Sequence, residues 1–117
     1  MHELAICQGL LEQVEQIALG KGADRILSVT VRIGPLAGVE PALLQGAFTL
    51  AAAGTPAAAA DLHIEKTGVR IQCRECGAEA DARPNCLLCE SCGSWRTRVL
   101  EGEEMLLTQV QLEIGRS

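Results

Sequence analysis

The sequence predicts an α+β fold, in which a small three-stranded sheet carries two helices and a cysteine-rich module is inserted before the last strand. Apolar residues recur at helical spacing in two segments and alternate with polar residues in three others. Two Cys-x-x-Cys-Gly sequences stand between the second and third alternating segments. We therefore expect a main domain of residues 1–70 plus 104–117 and an inserted domain of residues 71–103.

Two helices are predicted from the apolar spacing. The first runs from Glu3 to Leu19 and ends at Gly20, because glycine commonly follows a helix end. Its inward face is Leu4, Cys7, Leu11, Val14 and Ala18, widened by Leu10 and Ile17. The second helix runs from Glu40 to Ala53, and Gly54 and Pro56 break the pattern after it. Its inward face is Leu43, Leu44, Ala47, Phe48 and Ala51.

Three segments of the main domain alternate as half-buried strands do. The first is Leu27 to Ile33, the second is Asp61 to Ile71, and the third is Leu106 to Ile114. In the first strand, the inward residues are Leu27, Val29, Val31 and Ile33. The segment Trp95–Leu100 predicts a further short strand within the inserted module.

Composition excludes several classes of function. The chain of 117 residues has a net charge of -5 and only 2% aromatic residues, which disfavours binding to nucleic acid. It has no apolar run of the roughly 20 residues that a membrane helix needs. The N-terminus lacks the pattern of a secretory signal, so we expect a cytoplasmic protein. In that reducing compartment, its six cysteines indicate metal ligands before disulfides.

The paired cysteines predict a structural zinc site. Cys73, Cys76, Cys89 and Cys92 form two Cys-x-x-Cys turns, separated by twelve residues and each followed by glycine. Two such turns supply four thiolates in a tetrahedron, the closed arrangement typical of structural zinc. Iron in a four-thiolate site is an alternative, and disulfides or free cysteines are a third.

Cys86 creates a competing register, because Cys86-x-x-Cys89 is also a Cys-x-x-Cys sequence. We prefer the pair Cys89 and Cys92, since only this pair has a glycine after its second cysteine, as Cys76 does. In that register, Cys86 is a spare thiol or a substitute ligand. Cys7 lies on the apolar face of the first helix, which predicts a packed core thiol.

The first three residues form a possible second metal site. The terminal amine of Met1 has a reference pKa of about 7.7–8.0, so a metal ion can compete for it near neutrality. The imidazole and amide nitrogen of His2 add two donors, and Glu3 completes a fourth position with its amide or carboxylate. Square-planar nitrogen and oxygen ligation suits Ni(II) or Cu(II). On this stretch alone, a solvent-exposed histidine is the commoner interpretation.

Taken together, these features resemble the HypA/HybF family of hydrogenase nickel-insertion proteins. The opening MHELAICQ, the central RIGPLAGVE and the sequence CESCGS all fit, and the similarity covers essentially the whole chain. The resemblance implies a nickel metallochaperone, with nickel at Met1, His2 and Glu3 and a separate structural zinc on the four paired cysteines. It also implies that Glu40 is an auxiliary acidic group near the nickel end, for which a role at the helix start is the alternative.

The same resemblance implies the partners. Family members act with a HypB-type GTPase and deliver nickel to the large subunit of [NiFe]-hydrogenase, and some also serve urease maturation. The sequence departs from many members in having Leu88 and Glu90 around Cys89, without their Cys-Pro pair. The competing interpretation is a zinc-ribbon adaptor with no nickel role. We find no arrangement of a nucleophile and a base in the sequence that would predict an enzyme. The sequence does not decide between a monomer and a homodimer.

Overall fold

The computed structural model of the chain describes residues 2–114, with side chains from residue 3 onward. Its elements are α1 (His2–Gly20), β1 (Arg25–Ile33), α2 (Pro41–Ala52), β2 (Asp61–Lys66), β3 (Val69–Cys73), β4 (Glu79–Ala82), β5 (Thr97–Glu101) and β6 (Met105–Glu113). The α+β class is confirmed, and both helices lie where the apolar spacing predicts them. None of the helices in this range is long and apolar enough to cross a membrane.

The strands form two sheets of three strands each. The first has the order β2-β1-β6 and is the predicted main sheet, while the second has the order β4-β3-β5. The prediction of one strand from Asp61 to Ile71 is wrong, because the chain leaves the first sheet after Lys66 and enters the second at Val69. The short strand predicted in Trp95–Leu100 is confirmed as β5, which begins at Thr97 and ends one residue later than predicted, at Glu101. Strand β4 was not predicted from the sequence.

The chain divides into two compact units. The first comprises Met1–Val31, Val39–Glu65 and Leu107–Ser117, and the second comprises Arg32–Gly38 and Lys66–Leu106. In the first unit, the two helices and β1 supply most of the buried apolar side chains. They are Cys7, Leu10, Leu11, Val14, Ala18, Ile26, Val29, Val31, Leu44, Phe48 and Ala52. Cys7 is fully buried, and its thiol donates a hydrogen bond to the Leu44 carbonyl at 3.6 Å, which confirms the packed thiol.

Some predicted inward residues are exposed. In α2 the buried stripe is Leu44, Phe48 and Ala52, while Leu43 is 58% exposed. This stripe contains Phe48, whose large side chain gains most from burial. Leu27 of β1 is also exposed, and Ile26 is buried in its place. The Ile26 N–H donates to the Pro56 carbonyl at 3.1 Å, so the segment after α2 covers this end of the strand. Ile17 of α1 is likewise exposed.

The second unit is organised around β3, which lies between two antiparallel neighbours. It pairs with β4 from Val69 opposite Ala82 to Gln72 opposite Glu79. On its other side, Cys73 lies opposite Thr97 of β5, with a register shift between Arg70 and Ile71. The central strand β3 therefore ends at Cys73, the first of the paired cysteines. Its neighbours β4 and β5 both begin close to that point.

Gly46 lies inside α2 without any packing reason to be glycine. A Cβ built at Gly46 would meet no atom within 4 Å. Glycine in a helix interior is destabilising by roughly 0.5–1 kcal/mol relative to alanine. We expect Gly46→Ala to raise the free energy of unfolding by about that amount, measured by urea denaturation followed by far-ultraviolet circular dichroism.

Gly34→Ala is the control, because we expect it to lower the free energy of unfolding. A Cβ at Gly34 would clash with the Gly102 carbonyl oxygen, so the backbone would have to move. Because the Gly34 N–H donates to the Glu104 carbonyl at 2.9 Å, that movement would also disturb a hydrogen bond. An equal effect of the two substitutions would contradict this account of the glycines.

Candidate metal centre

Four thiols converge at one end of the second unit. Cys73 ends β3, Cys76 follows it in a turn, and Cys89 and Cys92 lie in a second turn before β5. The four Sγ atoms all lie within 4.8 Å of one another. The Sγ atoms of Cys73 and Cys92 are 3.6 Å apart, and so are those of Cys76 and Cys89. A tetrahedral zinc site with bonds of about 2.3 Å requires sulfurs about 3.8 Å apart, so the quartet fits.

Each pair of cysteines is held by the same kind of turn. The Gly77 N–H donates to the Cys73 carbonyl at 3.0 Å, and the Gly93 N–H donates to the Cys89 carbonyl at 2.7 Å. Both glycines have positive φ values, 77° and 75°, which other residues rarely adopt. The preferred register was based on the glycine after each second cysteine. The turn requires a glycine at that position because its φ is positive.

The sulfur of Cys73 accepts hydrogen bonds from the backbone. The N–H groups of Cys76 and Glu75 each lie 3.4 Å from its Sγ. Such bonds favour the thiolate, and the Cys76 N–H in particular lowers the pKa of Cys73 to about 6. These bonds therefore favour the thiolate of Cys73, which is the form that binds metal ions. Since the other thiols must lose protons on metal binding, acidification weakens that binding.

Cys86 does not join the quartet. It is exposed, and its N–H donates to the Arg83 carbonyl at 3.0 Å in an isolated antiparallel bridge. The structure thus brings Cys89 and Cys92 together with Cys73 and Cys76. Cys86 lies outside this cluster, so the competing register is not the one that the structure forms. All six cysteines are free thiols. The closest sulfurs are 3.6 Å apart, well beyond the roughly 2.05 Å of a disulfide.

Nearby arginines have partners other than the sulfurs. Arg96 lies 3.7 Å from Glu75 and stacks over the Trp95 ring, with its guanidinium carbon 5.7 Å from the ring centroid. Arg98 donates two hydrogen bonds to the Gln72 side-chain oxygen, at 3.0 and 2.8 Å. These pairs link residues next to the cysteines across the rim of the site. They stabilise its surroundings and leave the sulfurs available to an ion.

Two of the predicted nickel ligands, His2 and Glu3, lie at the start of α1. Met1 is outside the described residues, and His2 is described by its backbone only, as the first residue of the helix. Glu3 follows in the first helical turn and is half-buried. Glu40 is exposed and is the N-cap residue of α2, but its side chain makes no capping hydrogen bond. Among the side chains of residues 3–114, the cysteine quartet is the one group of three or more histidine, cysteine or acidic residues that could hold a metal ion.

Comparisons with known proteins give a consistent result over nearly the whole chain. Residues 1–112 match the family model described as "Hydrogenase/urease nickel incorporation, metallochaperone, hypA". A relative from Nitrosospira multiformis, named hydrogenase maturation factor HypA, is 46% identical over 112 residues, which cover 96% of this chain and 97% of that protein.

Two solved structures share the fold. The solution structure of the Ni metallochaperone HypA from Helicobacter pylori has a TM-score of 0.67 at 25% identity, covering 97% of this chain and 98% of that one. A second solution structure, of a HypA protein, has a TM-score of 0.73 at 27% identity and covers 96% of both chains. The similarity thus extends over residues of both units.

Proposed function

The chain belongs to the HypA family of nickel-incorporation metallochaperones, and on that premise we propose that it binds Ni(II) at its N-terminus and delivers it during [NiFe]-hydrogenase maturation. The match from residue 1 to residue 112 carries the proposal, because it includes the opening Met1-His2-Glu3. The proposed activity is delivery of an ion and not catalysis of a reaction.

The position of α1 supports the proposed ligands. The helix begins at His2, and the first N–H groups of a helix have no partner within it. The amide nitrogens of His2 and Glu3 are therefore not needed for helical hydrogen bonds and are available as donors to nickel. A helix N-terminus also favours negative charge, which a carboxylate or an ionised amide supplies. The Glu40 carboxylate, with no capping bond, is an auxiliary group in this proposal.

The cysteine quartet is the proposed structural zinc site. Four thiolates leave a bound zinc ion no open position, so this metal would stabilise the second unit and take no part in delivery. Cys73, Cys76, Cys89 and Cys92 would hold it, and Cys86 would not. The proposed partners are a HypB-type GTPase, the [NiFe]-hydrogenase large subunit and urease maturation proteins, in the cytoplasm.

The test is a Ni(II) titration of the untagged, zinc-loaded protein, followed by visible and near-ultraviolet absorption. We expect one equivalent of nickel to produce a square-planar band, which weakens as pH falls because protons compete for every ligand. A matched protein extended by Gly-Ser before Met1 should lose the band. A band indifferent to the extension, or no band at all, would contradict the proposal and favour a zinc-stabilised adaptor.

A further inference from the structure

An apolar groove lies between the start of α1 and the outer side of α2. It is a cavity of about 310 Å³ whose walls include Glu3, Leu4, Leu43, Gly46, Ala47 and Leu50. Leu43 is 58% exposed and Leu50 is 71% exposed, although both lie within α2. Large apolar side chains grouped in one exposed groove mark an interaction surface more often than scattered ones do.

The groove follows a second stripe along α2. Leu43, Gly46, Ala47 and Leu50 have the spacing i, i+3, i+4 and i+7, so they share one face, distinct from the buried stripe. The two leucines stand about 10 Å apart along the axis. Between them, Gly46 leaves open space, since a Cβ there would meet nothing within 4 Å. The side chains of Leu43 and Leu50, with the open space at Gly46 between them, form a hole that fits a side chain from another helix.

The charge around the groove has one sign. Neither helix contains lysine or arginine. Glu3 lines the groove, and Glu40 directly precedes α2. Glu12 and Glu15 lie further along α1, outside the groove. Apart from His2, the charged side chains of this helical layer are therefore carboxylates. An apolar groove with Glu3 in its wall, between two helices that contain no lysine or arginine, is complementary to a helix with an apolar stripe flanked by basic residues.

We propose that this groove is the docking site for a basic amphipathic helix of a protein partner. The leucine face of that helix enters between Leu43 and Leu50, and its lysines or arginines face the carboxylates of Glu3 and Glu40. A second copy of this chain is disfavoured as the occupant, because a twofold contact through the groove would place two acidic surfaces together. The inference goes beyond the proposed function, since docking requires no nickel.

The test uses the zinc-loaded full chain and a fluorescent synthetic peptide of about five helical turns, with leucines at i, i+3, i+4 and i+7 and lysines beside them. We expect saturable binding by anisotropy, and weaker binding as salt screens the charges. Leu50→Ser removes one wall, and Gly46→Leu fills the hole from a position where an added Cβ meets no atom within 4 Å. Each should weaken binding by about tenfold or more. Leu19→Ser is the control, because Leu19 is 75% exposed but lies outside the groove.

Three results would overturn the docking proposal. The first is unchanged peptide binding in both groove variants, or no saturable binding in the unaltered protein. The second is equal binding of a peptide in which glutamate replaces every lysine. The third is a concentration-dependent dimer, seen by analytical ultracentrifugation and lost with Gly46→Leu, which would make a second copy the occupant. Ni(II) binding by Gly46→Leu should be unchanged, so a failure of docking and a failure of nickel binding are distinguishable.

Discussion

Replacing Cys89 by serine will release the bound metal and unfold the second unit, whereas replacing Cys86 by serine will do neither. The Cys89 sulfur lies 3.6 Å from that of Cys76 and is buried within the quartet, while Cys86 is exposed outside it. Structural zinc contributes about 10–16 kcal/mol to the folding of small units. The second unit has few buried apolar side chains in its sheet, chiefly Val69 and Ile71, so we expect it to depend on the metal.

Two measurements check this prediction. Zinc per chain after dialysis should fall well below one equivalent in Cys89→Ser and stay near one in Cys86→Ser. Amide hydrogen exchange should show lost protection along β3 in the first variant only, because this strand ends at a ligand and lies between both neighbours. Loss of zinc from Cys86→Ser with retention in a Cys92→Ser variant would show that the other register holds the metal.

Replacing His2 by alanine should abolish tight nickel binding and leave the rest of the protein unchanged. The substitution removes the imidazole from the proposed ligand set, and we expect the affinity for Ni(II) to fall by about a hundredfold or more. Since His2 is the first residue of α1, alanine there does not interrupt the helix. Isothermal titration with Ni(II) gives the affinity, and circular dichroism with zinc analysis verifies the fold.

His63→Ala is the matched control for the nickel experiment. His63 is the only other histidine in the sequence and is exposed on β2. If nickel bound to any exposed imidazole, the two variants would lose affinity equally. Unchanged nickel binding in His2→Ala would contradict the N-terminal site directly and would require a search for ligands elsewhere in the chain.

The periodic elements of this fold could be predicted because their signals are local. Apolar spacing located α1 and α2, and alternation located β1 and β6. The Cys-x-x-Cys-Gly repeats indicated which four cysteines the structure brings together, since the glycines have the positive φ that those turns require. The identity of the ions and the roles of Met1, His2 and Glu3 stay predictions.

The errors arose where tertiary contacts override a local pattern. Between Asp61 and Ile71, the apolar residues change phase, from Leu62 and Ile64 to Val69 and Ile71, and a single strand cannot bury both sets on one face. That change was the available signal for two strands in two sheets. Leu43 was expected inward because α2 carries two apolar stripes, and helical spacing alone does not say which one faces the core.

The order of segments along the chain has a consequence for synthesis on the ribosome. All residues of the second unit, Arg32–Gly38 and Lys66–Leu106, leave the ribosome before most of β6 does. The first sheet lacks an edge strand until β6 is translated. Because domains fold as units while they emerge, the cysteine quartet is complete and able to capture a metal ion earlier. A chain translated under zinc starvation would therefore reach β6 with its second unit still unfinished, when aggregation competes most strongly with folding.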